Sequence, residues 1–479
     1  MFLKNIFLKY NSLSVQVKAA MWFVFCSVMQ KGIKFITVPI FTRIMTADEY
    51  GEYSLYLSWL EILTIITSLY LYHGVLNNGL TKFDTDRVAY ISSMQGLTIT
   101  INVVVFIIYL LFSKVLNRLI GLPTIMIYFM FLEMLVTPAL AFWSGKQRFE
   151  FKYKRLVVIT LLKCMLDPII GLVAVMYSDN KSLARIISIV VVEVAICGSI
   201  MLLQFYKGKK FFVSKYWKYG MRLALPLLPH YLSGTVLNQG NRILIDKLVG
   251  TAEVAYYSVA YSIGMVAQLF TSAINNSFIP WMYQKIKANE ITDIRKTING
   301  LMFFVTGCTV FLMLFSPELV LVFGSDVYRE AVGVIPPIAA SVFFIFLYNM
   351  VAIPQFYYEK TKFLLVSSLV AALMNILLGY FFIGQFGYLA AGYTTLLCYI
   401  FYSMGHYFIS CRITRKYLPG INFYDIKVIL YCSIIVVLAA IFCNFIFEKI
   451  LVRYIISVTL IFIAILKRKS IVSILMKNK

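Results

Sequence analysis

MWFVFCSVMQKGIKFITVPIFTRIMTADEYGEYSLY, residues 21–56, decides how this sequence folds. It opens as an apolar run that carries Lys31 and Lys34. It meets Pro39, turns through Thr42-Arg43 and Asp48-Glu49, and resumes as a second apolar run at Tyr50-Gly51. A helix needs about 20 mostly apolar residues to cross a bilayer. The stretch is therefore expected to be a helical hairpin through a membrane, broken at Pro39 because proline lacks the amide donor.

The rest of the chain repeats this texture. Its 479 residues are 61% hydrophobic and 14% charged, with mean hydropathy +0.83. A soluble domain is about half apolar and a quarter charged, so an all-α polytopic membrane protein is expected. Apolar runs give about fourteen transmembrane helices, from 18–40 to 450–466. The seventh, 219–240, is interrupted by Pro226, Pro229, Asn238 and Gln239. The first run carries two lysines and no small-residue cleavage site, so it is expected to remain as a span. Lys and Arg favour the connections on the N-terminal side by roughly three to one, which puts both termini in the cytoplasm. That bias accounts for the net charge of +23 without nucleic acid. The 8 cysteines are dispersed, with no C-x-x-C, and read as apolar packing rather than disulfides or metal ligands.

An internal repeat organises the spans. Arg43-Ile-Met-Thr-Ala-Asp-Glu-Tyr-Gly-Glu-Tyr-Ser-Leu aligns without a gap on Lys247-Leu-Val-Gly-Thr-Ala-Glu-Val-Ala-Tyr-Tyr-Ser-Val, with Glu49/Glu253, Tyr53/Tyr257 and Ser54/Ser258 identical. Helices one and two thus match helices seven and eight. An even spacing keeps the membrane orientation, so the repeat is parallel. Two six-helix lobes follow, residues 1–212 and 213–411, with a central cleft and an additional two-helix segment at 412–479.

Charges inside the spans carry the functional reading, because a charge at mid-bilayer costs at least ~2.5–3.5 kcal/mol. Lys31 lies about 18 Å in from Ala19 at ~1.5 Å per residue. Lys31 and Lys34 share a helix face with Ser27 and Gln30. They either pair with Glu61, Glu133 or Glu193, or line a wet cationic cavity that receives an anion; the second is the favoured reading. Lys163 and Asp167, at i and i+4 beside Pro168, either neutralise each other or leave Asp167 as a proton or sodium site. Glu61, Glu133 and Glu193 are lysine partners or ion-coupling carboxylates. In the broken seventh helix, His230, Asn238, Asn241 and Arg242 are placed to line a cavity, since irregular backbone survives in a membrane only there or inside protein. The repeat sets Thr235 opposite Lys31 and Asn238 opposite Lys34. His73 and His406 are expected at the interface.

No G-x-x-x-x-G-K-[ST], no H-E-x-x-H and no nucleophile elbow occurs. Gly74-Val-Leu-Asn-Asn-Gly79-Leu-Thr has the glycines of a phosphate loop but leucine where the lysine belongs. A transporter without its own ATPase is expected, not an enzyme, and without a cofactor beyond a proton or sodium ion for coupling.

Val38-Pro-Ile-Phe-Thr-Arg43-Ile-Met-Thr-Ala-Asp-Glu-Tyr-Gly51-Glu-Tyr-Ser-Leu-Tyr resembles the first hairpin of bacterial polysaccharide and O-antigen flippases, in the multidrug/oligosaccharidyl-lipid/polysaccharide exporter superfamily. Asn241-Arg-Ile-Leu-Ile-Asp246-Lys-Leu-Val-Gly250 is similar to the second hairpin, and Phe323-Gly-Ser-Asp-Val-Tyr-Arg-Glu-Ala331 to a short outer loop. The resemblance implies two six-helix bundles around a cavity open alternately to each side. It implies a substrate, an undecaprenyl-pyrophosphate-linked oligosaccharide of O-antigen, lipopolysaccharide or capsule. It implies a place in the bacterial inner membrane, among membrane lipids, with a polysaccharide polymerase and chain-length machinery as partners. Arg43 joins Lys31 and Lys34 as a candidate for the pyrophosphate. A drug/cation antiporter of the same superfamily is the alternative. Fourteen spans, where many such flippases have twelve, match the lipid II flippases.

Overall fold

The computed structural model describes residues 14–288, 290–360, 362–419 and 422–466. Among them there is no β-strand. Each expected span overlaps a helix, with shifted ends; the seventh, expected at 219–240, is found at Leu228–Leu248. The helices are α1 (Val15–Ile44), α2 (Ala47–Ser68), α3 (Arg87–Leu111), α4 (Thr124–Phe149), α5 (Tyr153–Met176), α6 (Lys181–Gly208) and α7 (Leu228–Leu248). They continue as α8 (Thr251–Lys287), α9 (Ile291–Leu314), α10 (Ile335–Tyr357), α11 (Lys362–Phe386), α12 (Leu389–Tyr417), α13 (Ile426–Ile446) and α14 (Ile450–Leu466). Among the described residues ten helices are long and apolar enough to cross a membrane; α2, α7 and α12 carry more polar residues, and α14 is short. The chain forms two compact units, Met1–Thr235 and Val236–Lys479.

The opening hairpin differs from expectation at Pro39. α1 continues through it and ends only at Ile44. A proline removes a single donor, and α1 supplies enough residues on both sides for the ladder to continue. The turn falls instead at Met45-Thr46, where a capping box starts α2: Thr46 Oγ1 accepts from the Glu49 amide at 3.3 Å, and the Thr46 amide donates to Glu49 Oε2 at 2.8 Å. Glu49 Oε1 also accepts from the Lys181 amide at 3.3 Å, and Lys181 Nζ donates to the Ile44 carbonyl at 2.7 Å. Ser182 donates to Glu52. The motif that marks the hairpin thus pins the start of α6 to the α1–α2 turn.

The seventh span, expected at 219–240 with interruptions at Pro226, Pro229, Asn238 and Gln239, is broken only at residues 225–227. A helix at Ser214–Ala224 stops, and α7 starts only at Leu228, beyond Pro226. In the second unit α10 is the core. Its most apolar stretch is 83% buried, against 6% for α1, and it packs on α8, α9, α12 and α13. His406, expected at an interface, is fully buried there, between Gln355 Oε1 at 3.0 Å and Ser367 Oγ at 2.9 Å. Burial of an imidazole is tolerable once both ring nitrogens have partners. α14 is tied down by buried Arg453, which donates to the Leu314 carbonyl at 2.8 Å and to Glu318 at 2.7 Å. No disulfide forms; five of the eight cysteines are buried as packing residues, and only Cys308 is exposed.

Candidate functional site

The first unit holds a chain of charged groups inside its helices. Lys163 on α5 reaches Glu193 on α6 at 2.6 Å. Cys197, one turn later, donates to Glu193 Oε2 at 2.9 Å. The helix widens to a π turn over Val194–Gly198, directly after Glu193, a local change common at functional positions. On α4, Glu133 is 4% exposed and accepts from Tyr56 of α2 at 2.8 Å. Glu133 lies within electrostatic reach of Glu193 and Lys163.

Asp167 does not pair with Lys163. It takes Arg185 of α6, whose guanidinium donates to Oδ1 at 2.9 Å and Oδ2 at 3.2 Å. Arg185 is 3% exposed. An arginine cannot shed its charge, and its fork fits a carboxylate at two points. It therefore claims the nearest carboxylate, and Lys163 turns to Glu193. The rings of Phe41 and Tyr53 complete the shell, 4.5 Å and 5.5 Å from the guanidinium. Sequence reasoning missed Arg185 because it sits near the start of its span and reads as an interfacial anchor. Ser188, one turn on and hydrogen-bonded to it at 3.1 Å, was the available signal.

A cavity of about 670 Å³ opens onto part of this chain. Glu61, Glu133 and Lys163 line it, with Tyr70, His73 and Arg148. His73 stacks on Tyr70 at 4.5 Å between ring centres. Glu61, Glu133 and Lys163 thus border one cavity, Glu193 is paired with Lys163 and not, among the described residues, with the lysines of α1, and Asp167 belongs to the neighbouring arginine. Of the five groups Lys163, Glu193, Glu133, Asp167 and Arg185, four form two ion pairs, and Glu133 makes none among the described residues.

Lys31 stands apart. It is exposed on α1, beside exposed Ser27 and Gln30, and makes no ion pair among the described residues. The side chain of Lys34 lies outside the described residues. Arg43 is exposed in the last turn and donates to the Pro39 carbonyl at 2.9 Å. His230 lies early in α7, beside Tyr231.

The other α7 candidates form a separate cluster in the second unit. Asn241 and Arg242 are buried, Asn238 half-buried. Asn241 donates to Thr395 at 2.7 Å and to the Ala391 carbonyl at 3.1 Å. Arg242 donates to Ser258 at 2.8 Å and lies over the rings of Tyr257 and Tyr261. Tyr261 donates to Asn238 at 3.1 Å. The repeat-related tyrosines Tyr53 and Tyr257 therefore each sit beside a guanidinium, supplied in one case by α6 and in the other by α7. Among the described residues no group of His, Cys, Asp and Glu has the placement to hold a metal ion.

The sequence model of the polysaccharide biosynthesis protein family matches residues 17–286, more than half of the chain. The chain belongs to that family. The MatE family model matches residues 226–381 of this family member. Among solved structures it is similar to a lipid II flippase, MurJ, in an inward closed conformation: 14% identity, 95% of this chain, 100% of that one, TM-score 0.69. It is also similar to an inward-facing multidrug resistance MATE family transporter of the MOP superfamily, at 13% identity, 84% and 99% coverage and TM-score 0.60. A MOP superfamily transporter from Pyrococcus furiosus matches at 14% identity, 84% and 96% coverage and TM-score 0.52. At these identities the likeness establishes the fold. No curated protein sequence matches. The family match, the fold and the membrane-length helices together make the chain a multi-pass membrane protein of the polysaccharide biosynthesis family with the fold of those transporters.

Proposed function

We propose that this protein moves an undecaprenyl-pyrophosphate-linked oligosaccharide, an O-antigen or capsule repeat unit, from the cytoplasmic to the outer leaflet of a bacterial inner membrane by alternating access. Both termini are cytoplasmic in this reading. The observation that carries it is Lys31: a lysine deep within a membrane-length helix, exposed, on a polar face and with no carboxylate partner among the described residues. Such a charge is stable in a bilayer only beside water or an anion. A diphosphate supplies the anion, and its charge needs that compensation to cross a low-dielectric layer. The family match and the likeness to a lipid II flippase support a lipid-linked substrate. A polysaccharide polymerase with its chain-length machinery would take the product.

Transport is coupled to an ion in this proposal, and the carboxylate without a cation, Glu133, carries the proton. It has a hydroxyl partner in Tyr56 and borders a cavity. Sodium is the alternative ion. The MatE match favours a second reading, a drug/cation antiporter; the lysine on α1 speaks against a cationic cargo.

The test is surface polysaccharide in cells relying on this protein alone. Lys31→Ala with Lys34→Ala is expected to abolish export at unchanged protein level, and Lys31→Arg to retain most of it. Full export by the double variant would overturn the assignment of the lysines to the substrate. Uptake of an organic cation by vesicles would favour the antiporter. Flipping that ignores collapse of the pH gradient would remove the proton.

A further inference from the structure

A second cavity, of about 730 Å³, lies in the first unit where α3 and α5 begin and α4 and α6 end. Five cations line it: Lys146, Lys152, Lys154, Arg155 and Lys207. Its one lining carboxylate, Glu150, is engaged by Lys152 at 2.6 Å and by Lys146 at 3.8 Å. Lys154, Arg155 and Lys207 make no ion pair among the described residues. So many like charges around one hollow repel one another, and an anion in the hollow relieves that repulsion.

The backbone adds to the field. The α4–α5 turn passes through Phe151, a non-glycine residue at φ 54. α5 then starts at Tyr153 with no side-chain cap, and its first three residues line the cavity. Uncapped amides at a helix start favour negative charge. Gln204 is a further element. It is 9% exposed, its amide nitrogen donates to the Ala139 carbonyl at 3.0 Å, and its Oε1 has no partner among the described residues. A buried acceptor without a donor is costly, and a ligand hydroxyl would satisfy it.

One wall is apolar. Val88, Ile159, Ile200 and Leu203 belong to it, and Leu203 is 55% exposed. Next to it, Leu202 on α6 and Val158 and Leu162 on α5 are exposed. A soluble anion has no use for such a wall; an acyl chain does.

We propose that this cavity binds the headgroup of an anionic glycerophospholipid, with phosphate among Lys154, Arg155 and Lys207, a headgroup hydroxyl toward Gln204, and an acyl chain along α5 and α6. The site is independent of the transported substrate and rests only on the chain being a membrane protein. The experiment uses the purified full chain, delipidated in detergent, with phosphatidylglycerol titrated and bound lipid counted by native mass spectrometry. Phosphatidylcholine and inorganic pyrophosphate serve as the other probes. Phosphatidylglycerol is expected to bind in preference to phosphatidylcholine, with roughly fivefold weaker binding for each cation removed. The triple variant Lys154→Ala/Arg155→Ala/Lys207→Ala should lose the bound lipid, and Lys207→Ala alone should show the partial loss even if the triple variant aggregates. Lys114→Ala/Lys449→Ala should bind as wild type. Equal binding of the two lipids, or binding unchanged in Lys207→Ala, overturns the site. Displacement of the lipid by pyrophosphate at equal concentration assigns the cavity to a soluble phosphate and overturns the lipid reading.

Discussion

Replacing Lys163 by methionine removes the only cation that Glu193 contacts among the described residues, and the consequence depends on the carboxylates left behind. Lys163 and Glu193 are 2.6 Å apart, with side chains 26% and 9% exposed. Deleting one partner of a buried pair costs about 3–5 kcal/mol because the other is left charged and alone. Partial exposure of Lys163 puts Lys163→Met near the lower end, about 3 kcal/mol, since Glu133 and Glu193 then face each other without a cation. Glu193→Gln is milder, about 1–2 kcal/mol, because Lys163 lies within reach of Glu133 and can turn to it. The double variant keeps only Glu133, already hydrogen-bonded to Tyr56. It should cost little more than Glu193→Gln alone, which makes the coupling between the two sites nearly the whole cost of Lys163→Met, about 2–3 kcal/mol. The assay is unfolding of the purified protein in mixed detergent–SDS micelles, with all four corners of the cycle measured. Equal costs for the two single variants, or a double variant as costly as their sum, would refute the network.

Two further outcomes are expected. Thr46→Ala should destabilise by about 1 kcal/mol through loss of the α2 cap, and Glu49→Ala by about 2 kcal/mol because it also frees the Lys181 amide; the same micelle unfolding measures both, and an equal effect would mean that the link to α6 carries nothing. Asp425 accepts from Arg295 at 2.7 Å, and that hydrogen bond holds its carboxyl below the usual carboxylate value. A lowered folded-state value gives stability that is present above an unfolded value of about 3.9 and is lost as pH falls through the folded one. Between about pH 5 and pH 3 the wild type should therefore lose more stability than Asp425→Asn, and equal losses would count against the pair.

The opening hairpin shows how much was legible. Its two helices follow from local sequence, while the turn falls at Met45-Thr46, between the Thr42-Arg43 and Asp48-Glu49 expected to form it, because the Thr46–Glu49 capping box starts α2 there. Pro39 was overread: a proline in an apolar run of this length bends or perturbs a helix without having to end it. The break near Pro226 is legible in the sequence, but Pro229, Asn238 and Gln239 do not interrupt α7, which runs unbroken over Leu228–Leu248 because proline near a helix start and polar side chains leave the ladder intact. The repeat pointed to equivalent tyrosines. What it could not supply was their cation, because Arg185 lies 132 residues from Tyr53 and Arg242 only 15 from Tyr257.

Hydropathy by itself determined that this chain is a bundle of membrane-length helices, because in a bilayer every backbone amide must be satisfied within its own segment and length and composition then suffice. Spacing along one helix also placed Lys31 with Ser27 and Gln30. Tertiary structure decided the chemistry of the carboxylates. Local spacing offered Asp167 to Lys163, but a buried guanidinium from another helix outbid the lysine, and Glu193 and Glu133 found partners on α5 and α2. Which helix faces meet is not encoded at any fixed spacing, so neither the pairing nor the odd carboxylate among these five charges could be read from the sequence.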